Sequence, residues 1–320
     1  MKKVLLVAFL SFLSGIAFCQ QKDTLIKKLD SLSYKADSAG KQINNTTEGA
    51  YNQQTKLSFR TYFILLGSDL KQDFTKPFHM KKREWAKFGA FVLATGVLSF
   101  ADEPVQQWAL KLRNTNPQVA KVGKYITNFG GIYETYTLAG LGAYGLIFKN
   151  QKLKTTTLLA TQAYITGSII ETVVKFLTGR KRPSYYDPSQ EAQPKFTGPF
   201  SSSRSYNGTK SNSSFPSGHA TVAFAAATVF AMEYKSTIWV PIFAYSAASL
   251  ISASRITENK HWITDIFVGG VLGYLTGRQI VNNYHRYAKL KAPKMSKNSV
   301  SFNMQYNYNH LEPGITYTFR

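Results

Sequence analysis

The chain has 320 residues, of which 44% are hydrophobic, and its formal net charge is +22 at pH 7. This length allows one large domain with appendages, so folding requires no disulfide or metal staple. The positive charge suits nucleic acid, anionic lipid or phosphorylated molecules. The sequence contains no recognition-helix pattern, aromatic RNA platform or zinc-finger spacing, which argues against nucleic acid and favours a lipid or phosphate partner.

Residues 1–19 are typical of a signal peptide. Two lysines precede the apolar run Val4–Phe18, and Ala17 and Cys19 form an A-x-small pattern where the polar region begins. We predict cleavage after Cys19 and export to the periplasm; a lipid anchor on Cys19 and an uncleaved transmembrane anchor are the alternatives. Cys19 is the only cysteine, so we expect the mature chain to fold without a disulfide.

Residues 20–84 form a polar N-terminal region, for which we predict short helices and a linker. Thr24–Ala36 has the amphipathic pattern of a short helix. Ser38–Thr55 is rich in Asn, Gln, Thr and Gly, which predicts a linker. Leu57–Phe78 carries several aromatic and aliphatic side chains, so we expect it to pack onto the main body.

The main body, residues 85–284, contains six apolar segments that are rich in Ala, Leu and Gly and poor in Pro, which predicts helices rather than strands. The segments are Phe88–Phe100, Ile132–Phe148, Leu158–Leu177, Ala220–Met232, Ile238–Ala253 and Trp262–Ile280. The polar stretch Ser184–Ser214 separates the third from the fourth, and a loop of this length is usually functional or mobile. We therefore predict an all-α fold, a bundle of about six core helices.

Residues 285–320 combine a basic linker with alternating polar and apolar residues. The alternation occupies Val300–Tyr308 and Ile315–Phe319, on either side of Pro313 and Gly314. This pattern predicts a short C-terminal β-hairpin with its turn at Pro313-Gly314. The simpler interpretation places the hairpin on the helical domain; contact with an outer membrane is the alternative.

The first cluster of chemically active residues ends the third apolar segment and contains Lys175 and Arg182. Seven residues are close to two helical turns, so both cations would share one helix face, and Pro183 would end the helix. Two such cations can hold a phosphate, with Arg182 binding two of its oxygens. The alternative is a basic helix end that offsets the helix dipole or meets a membrane surface.

The second cluster, Phe215–His219, reads Phe-Pro-Ser-Gly-His and precedes an Ala-rich segment. Pro216 suits a first helical turn, so the free N–H groups of Ser217, Gly218 and His219 would form an anion site at a helix N-terminus. The Ser217 hydroxyl adds a donor, Gly218 allows close approach to the backbone, and His219 is placed to give a proton to a leaving group. Simple helix capping is the alternative.

The third cluster consists of Ser254-Arg255 and, five residues later, His261-Trp-Ile-Thr-Asp265. His261 and Asp265 are four residues apart, which makes them neighbours on a helix. The carboxylate would fix the imidazole tautomer and leave the other ring nitrogen free to attack a substrate. Arg255 supplies a third cation. A His–Asp pair that only stabilises the helix is the alternative.

An up-down bundle would bring the three clusters together. The end of the third helix, the start of the fourth and the junction of the fifth and sixth lie at one end of such a bundle. Three cations, amide donors, a nucleophile with its orienting carboxylate, and an acid are what phosphoryl transfer requires.

These motifs resemble the three-part signature of the type 2 phosphatidic acid phosphatase and vanadium haloperoxidase superfamily, written K-x6-RP, PSGH and SR-x5-H-x3-D. Every defining position is filled, and the match covers roughly Trp85–Tyr284. The resemblance implies that His261 attacks phosphorus, that Asp265 orients it and that His219 protonates the leaving oxygen. The residues it implies for binding the phosphate oxygens are Lys175, Arg182, Ser217, Gly218 and Arg255. Hydrolases of this superfamily need no metal or other cofactor; in haloperoxidase relatives the same cradle holds vanadate.

The number of membrane spans conflicts with export by a signal peptide. Three spans before Lys175 would place the predicted site on the cytoplasmic side, whereas the resemblance implies an outward-facing site in embedded members. Either Phe88–Phe100 is peripheral, since a span needs about 20 residues, or no segment spans, as in the exported acid phosphatases of the superfamily. The mean hydropathy of −0.20 and polar residues such as Glu134 and Glu171 favour an exported, membrane-associated bundle.

We therefore predict a metal-independent phosphatase that hydrolyses phosphate monoesters or pyrophosphates through a phosphohistidine at His261. Lipids of the phosphatidic acid, lipid A or undecaprenyl pyrophosphate type are the expected substrates. The alternatives are a soluble non-specific acid phosphatase, a vanadium-dependent haloperoxidase and a non-catalytic lipid head-group binder. The intact set of His261, Asp265 and His219 favours an enzyme, because binding alone requires only the cations.

Overall fold

The computed structural model describes residues 24–35, 42–187, 189–199, 204–205, 208, 213–291, 299–307 and 310–318. The predicted signal peptide and Cys19 lie outside these residues. The α-helices are α1 (Thr24–Lys35), α2 (Phe59–Thr75), α3 (Lys82–Ser99), α4 (Asp102–Thr115), α5 (Pro117–Asn128), α6 (Ile132–Ile147), α7 (Gln151–Thr178), α8 (Gly218–Glu233), α9 (Trp239–Thr257) and α10 (Ile263–Lys291). Short 3₁₀ helices occupy Glu48–Ala50, Lys76–His79 and Pro183–Tyr185.

The all-α prediction is confirmed, since each of the six apolar segments forms a helix: α3 and α6 to α10. The structure adds α4 and α5, which the apolar pattern does not indicate because their surfaces are largely polar and exposed. Helix α5 nevertheless has a readable start. The Asn116 side chain accepts a hydrogen bond from the Gln118 amide at 3.0 Å, and Pro117 occupies the first helical position.

Helix α8 lies at the centre of the bundle and packs against α7, α9 and α10. Its contact with α10 is close because α10 presents glycines at four-residue intervals, Gly269, Gly273 and Gly277. A Cβ at Gly269 would lie 2.6 Å from the Ser217 carbonyl oxygen, so no side chain fits there. The two backbones therefore meet at the start of both helices, where the Ser217 N–H donates to the Asp265 carbonyl at 2.9 Å.

The described part of the predicted linker, residues 42–55, lies against the helical body. The Lys152 ammonium of α7 donates to the Thr46 carbonyl at 2.8 Å, and the Asn44 amide donates to the Asn282 side chain of α10 at 3.0 Å. Its polar composition thus reflects hydrogen-bonded packing, which a composition-based reading cannot distinguish from a free linker. The division between residues 20–84 and 85–284 stays a prediction.

The C-terminal β-hairpin consists of β1 (Ser299–Asn307) and β2 (His310–Thr318), paired antiparallel. The predicted turn position is wrong, because Pro313 pairs with Met304 and therefore lies inside β2. Both strands of a two-stranded sheet are edge strands, and an edge strand tolerates a proline that has no N–H to donate.

The length and apolarity of a helix decide whether it can cross a bilayer. Within the described residues, no helix alone has the length and apolarity needed to cross a bilayer. Helices α3 and α4 meet those criteria only as a pair, with a bend of 51° between them.

Candidate active site

The three clusters meet at one end of the bundle, as the helix order predicts. A Cβ built on Gly218 would lie 3.0 Å from the Lys175 ammonium nitrogen, which joins the end of α7 to the start of α8. The Ser217–Asp265 hydrogen bond joins α8 to α10. Electrostatic coupling links His219 to Arg255 and His261, so the junction of α9 and α10 belongs to the same pocket.

The path of the chain from Lys175 to Arg182 differs from the prediction. Helix α7 ends at Thr178, because Gly179 adopts a left-handed conformation with φ +56° and ψ 34°. Arg182 lies beyond the helix in extended backbone, so the predicted shared helix face and the helix stop at Pro183 are both wrong.

The loop that begins at Ser184 holds this segment in place through its described residues. The Lys181 N–H donates to the Lys195 carbonyl at 2.9 Å, and the Ser214 N–H donates to the Arg180 carbonyl at 3.0 Å. The Trp262 indole, which follows His261 in the third cluster, donates to the Lys181 carbonyl at 2.8 Å. Contacts between distant parts of the chain therefore position Arg182.

Within the part of the chain that the structure describes, the start of α8 leaves two free amides rather than the predicted three. Ser217 is the N-cap, and its own N–H is occupied by the Asp265 carbonyl. Gly218 and His219 occupy the first two helical positions, whose amides have no acceptor within the helix. Pro216 precedes the cap rather than lying in the first turn. The helix N-terminus still offers amide donors and the positive end of the helix dipole to an anion.

His261 lies two residues before α10, and Asp265 lies in its first turn. The Nδ1 atom of His261 is 3.4 Å from Oδ2 of Asp265, which also accepts the Trp262 N–H at 2.9 Å. The expected contact is thus made across the helix start rather than along a helix. His261 is 2% exposed, and burial together with the nearby Arg182 lowers its pKa to about 3. The imidazole is therefore neutral, as a nucleophile must be.

Arg180, which the sequence motifs do not single out, holds Asp265, and Asp102 in turn holds Arg180. The Arg180 guanidinium donates to Asp265 Oδ1 at 2.6 Å and pairs on its other side with Asp102 of α4. Burial alone would raise the pKa of Asp265, but His261 and Arg180 outweigh it and hold this pKa below its usual value. Arg180 lies inside the first motif, so the sequence could have identified it as a site residue. Asp102 could not be identified in this way, because α4 was not predicted.

The predicted cations lie in a partly buried group with spare hydrogen-bond donors. Arg255 donates from Nη1 to the Thr127 hydroxyl at 2.7 Å. The Nε atoms of Arg182 and Arg255 are buried and have no hydrogen-bond partner within the described residues. Burial and the neighbouring Arg182 lower the pKa of Arg255 to about 10. Unpaired buried donors on cations are costly, and an anion would satisfy them.

His219 faces the loop before α6. A Cβ built on Gly131 would lie 3.6 Å from its Nε2 atom, so the two glycines at 130 and 131 leave room for the imidazole. Burial, Arg255 and His261 lower the pKa of His219 to about 3. The ring is therefore neutral, and a bound dianion would oppose the effect of the Arg255 charge on this pKa.

A sequence model described as the PAP2 superfamily matches residues 156–288, a range that contains every predicted site residue. This match confirms the predicted resemblance to that superfamily over residues 156–288. The matching curated relatives are named as phosphatases of lipids and of a polyisoprenoid diphosphate.

The chain is 44% identical to lipid A 1-phosphatase of Porphyromonas gingivalis over 72 residues, 22% of this chain and 16% of that protein. It is 29% identical to lipid phosphate phosphatase 1 of Arabidopsis thaliana over 40% of this chain and 47% of that protein. It is 26% identical to undecaprenyl-diphosphatase of Sulfolobus acidocaldarius over 51% of this chain and 70% of that protein. The matches thus cover less than half of the first two relatives.

Proposed function

We propose that this protein is a metal-independent phosphatase of lipid phosphates or pyrophosphates that works through a phosphohistidine at His261. The observation that carries the proposal is the pocket itself. A buried neutral imidazole, backed by an ionised carboxylate, shares the pocket with three cations and a helix N-terminus. The superfamily match supports the same reaction.

The proposed reaction has two steps. The Nε2 atom of His261 attacks phosphorus while Asp265 accepts the hydrogen bond from Nδ1, and the bond from phosphorus to the leaving oxygen breaks. His219, which takes up a proton from solvent when the phosphate dianion binds, gives that proton to the departing oxygen. Water then attacks the phosphohistidine, His219 takes up the water proton, and phosphate and free His261 are released.

The proposed phosphate-binding residues are Lys175, Arg182, Ser217, Gly218 and Arg255. The cations balance the charge that builds on the phosphate oxygens, a task that Mg²⁺ performs in kinases and GTPases. We accordingly propose that chelators leave the rate unchanged.

An apolar cavity beside the pocket supports a lipid substrate. It has a volume of about 650 Å³ and lies between α3, α8, α9 and α10. Its lining includes Ile256, which follows Arg255, and Ile263, which lies two residues after His261. An acyl or prenyl chain bound there would keep its phosphate close to the cations.

Exposed apolar side chains support association with a membrane. Examples on α3, α6 and α9 are Leu93, Val97, Ile147, Trp239 and Phe243, each more than half exposed. Surfaces of this kind mark lipid or protein contacts. We propose that they face lipid and that the protein acts in the cell envelope after export.

The test is phosphate release in detergent from lipid A phosphates, prenyl pyrophosphates, phosphatidic acid and short-chain analogues with the same head groups. We expect wild-type protein to hydrolyse at least one lipid substrate better than its short-chain analogue. His261→Ala should release no phosphate yet still bind substrate.

The matched control is His79→Ala, which removes an exposed histidine of the second 3₁₀ helix and should leave the rate unchanged. Release by His261→Ala at the wild-type rate would contradict the proposed nucleophile. Equal rates on long and short chains would contradict the lipid preference.

A further inference from the structure

The phosphate pocket contains an acidic side chain that the proposed reaction does not use. Glu171 lies one turn before Lys175 on α7, and its Oε2 atom is 2.5 Å from the Lys175 ammonium nitrogen. A Cβ built on Gly218 would lie 2.9 Å from Glu171 Oε1. The carboxylate therefore lies against the first residue of α8, where the proposed phosphate would bind.

Glu171 contacts the same groups that we assign to phosphate. From its own helix it meets Lys175, and the charge of Arg182 acts on it from the segment after α7. From α8 it meets Gly218 at the positive end of the helix dipole. Asp265, from α10, also attracts Lys175. The carboxylate is thus an internal anion beside Lys175 and Arg182.

A phosphate dianion cannot join an ionised carboxylate in this space without strong repulsion. Two anions that share a partly buried site favour proton uptake by one of them. Glu171 is suited to take up that proton, because its side chain is only 12% exposed. Burial already raises its pKa above the usual value, although Lys175 and Arg182 act in the opposite direction.

We propose that Glu171 occupies part of the anion pocket while it is empty and takes up a proton when a phosphate group binds there. Its carboxyl O–H then donates to a phosphate oxygen, and the Lys175 ammonium exchanges the carboxylate for the phosphate. This inference rests on the proposed function only in taking the pocket to be the phosphate site. Anion affinity then falls as pH rises through the range in which free Glu171 is ionised.

His219 and His261 complicate a simple pH profile, because they face the same anion and can also take up protons when it binds. The contribution of Glu171 is therefore the difference between wild type and Glu171→Gln, which removes the titrating group and keeps the side-chain shape. The control is Glu84→Gln, which breaks another Glu–Lys pair, with 2.6 Å between Glu84 and Lys76, away from the pocket.

The experiment is calorimetric titration of the full-length protein in detergent with inorganic sulfate, whose charge is constant between about pH 5 and about pH 9. Titrations in buffers of different ionisation enthalpy give the number of protons taken up per sulfate bound. We expect Glu171→Gln to take up fewer protons and, at about pH 8, to bind sulfate on the order of tenfold more tightly. Glu84→Gln should behave as wild type.

Equal proton uptake by wild type and Glu171→Gln would overturn the inference, even with tighter binding, because the side chain would then only rotate away. Absence of sulfate binding to wild type would overturn it as well. Infrared difference spectra of the wild type need no variant: sulfate binding should produce a carboxylic acid C=O band, and its absence counts against the inference. Turnover enters none of these measurements, so His261-dependent phosphate release would still stand if they failed.

Discussion

Helix α10 carries a buried polar network near each end, and the two differ in their charge balance. Near its start, Asp265 is held by Arg180 and His261, with further cations in the same pocket. Near its end, the Asn283 amide donates to Asp69 at 2.6 Å and to Gln72 at 2.8 Å. The first network surrounds its carboxylate with cations, whereas the second surrounds it with neutral amides.

The pKa values of the two aspartates show the consequence. Asp265 is held below its usual pKa and stays ionised. Burial raises the pKa of Asp69 well above its usual value, and Asp73 and Asp30 add to this. The first network also has N–H donors on Arg182 and Arg255 that find no acceptor among the residues that the structure describes. Spare positive donors mark the network that binds an anion, and a neutral amide network marks the one that holds helices together.

After the complete loss of phosphate release expected for His261→Ala, the largest expected effect within the site concerns His219. With a poor, alkoxide-type leaving group, His219→Ala should lower kcat by ~10²–10⁴-fold, because the leaving oxygen departs without a proton. With a nitrophenolate leaving group, which needs no proton, the loss should be much smaller. The measurement is kcat on alkyl and nitrophenyl phosphates. Equal losses on both would contradict the acid role of His219.

The next effect is the loss of a cation. Arg255→Ala should lower kcat/KM by ~10²–10³-fold, since it removes a charged donor from the developing phosphate oxyanion. Thr127→Val keeps the charge and removes the hydroxyl that accepts from Arg255 and from Ser254, so its loss should be smaller. The exposed Arg278 of α10 is the control, and Arg278→Ala should have no effect. A loss as large in Arg278→Ala would show that net charge, rather than position, matters.

A smaller effect is expected from Asp102, which positions the site without touching substrate. Asp102→Asn removes one of the two carboxylates that hold Arg180, so Asp265 is fixed less firmly. We expect the unfolding free energy to fall by about 1.5–3 kcal/mol and kcat to fall roughly tenfold. The proton resonance of the His261–Asp265 hydrogen bond should shift, which lower stability alone would not cause. An unchanged resonance and kcat would leave Asp102 a purely structural residue.

The residues of the site show which features of the structure can be predicted from the sequence and which cannot. Apolar segments predict most of the helices because burial requires their pattern, and helix order then predicts that Lys175, His219 and His261 share one end of the bundle. The Asp102–Arg180 pair escapes prediction, because a polar helix has no apolar period and a long-range ion pair has no local signal. Glu171 was visible as a polar residue in an apolar segment, but its place against Gly218 depends on the packing of α7 on α8.

The smallest expected effect concerns the polar network near the end of α10. Asn283→Ala leaves the buried groups of Asp69 and Gln72 without their donor, so the unfolding free energy should fall by about 1–3 kcal/mol. Asn282→Ala is the matched control: Asn282 is half-buried and accepts a hydrogen bond from Asn44, so its loss should be smaller. Because this network lies near the opposite end of α10 from the phosphate pocket, kcat should be unchanged in both variants at temperatures where they are folded. A fall in kcat in folded Asn283→Ala would mean that packing along α10 transmits strain to Asp265, and the two networks would then form one functional unit.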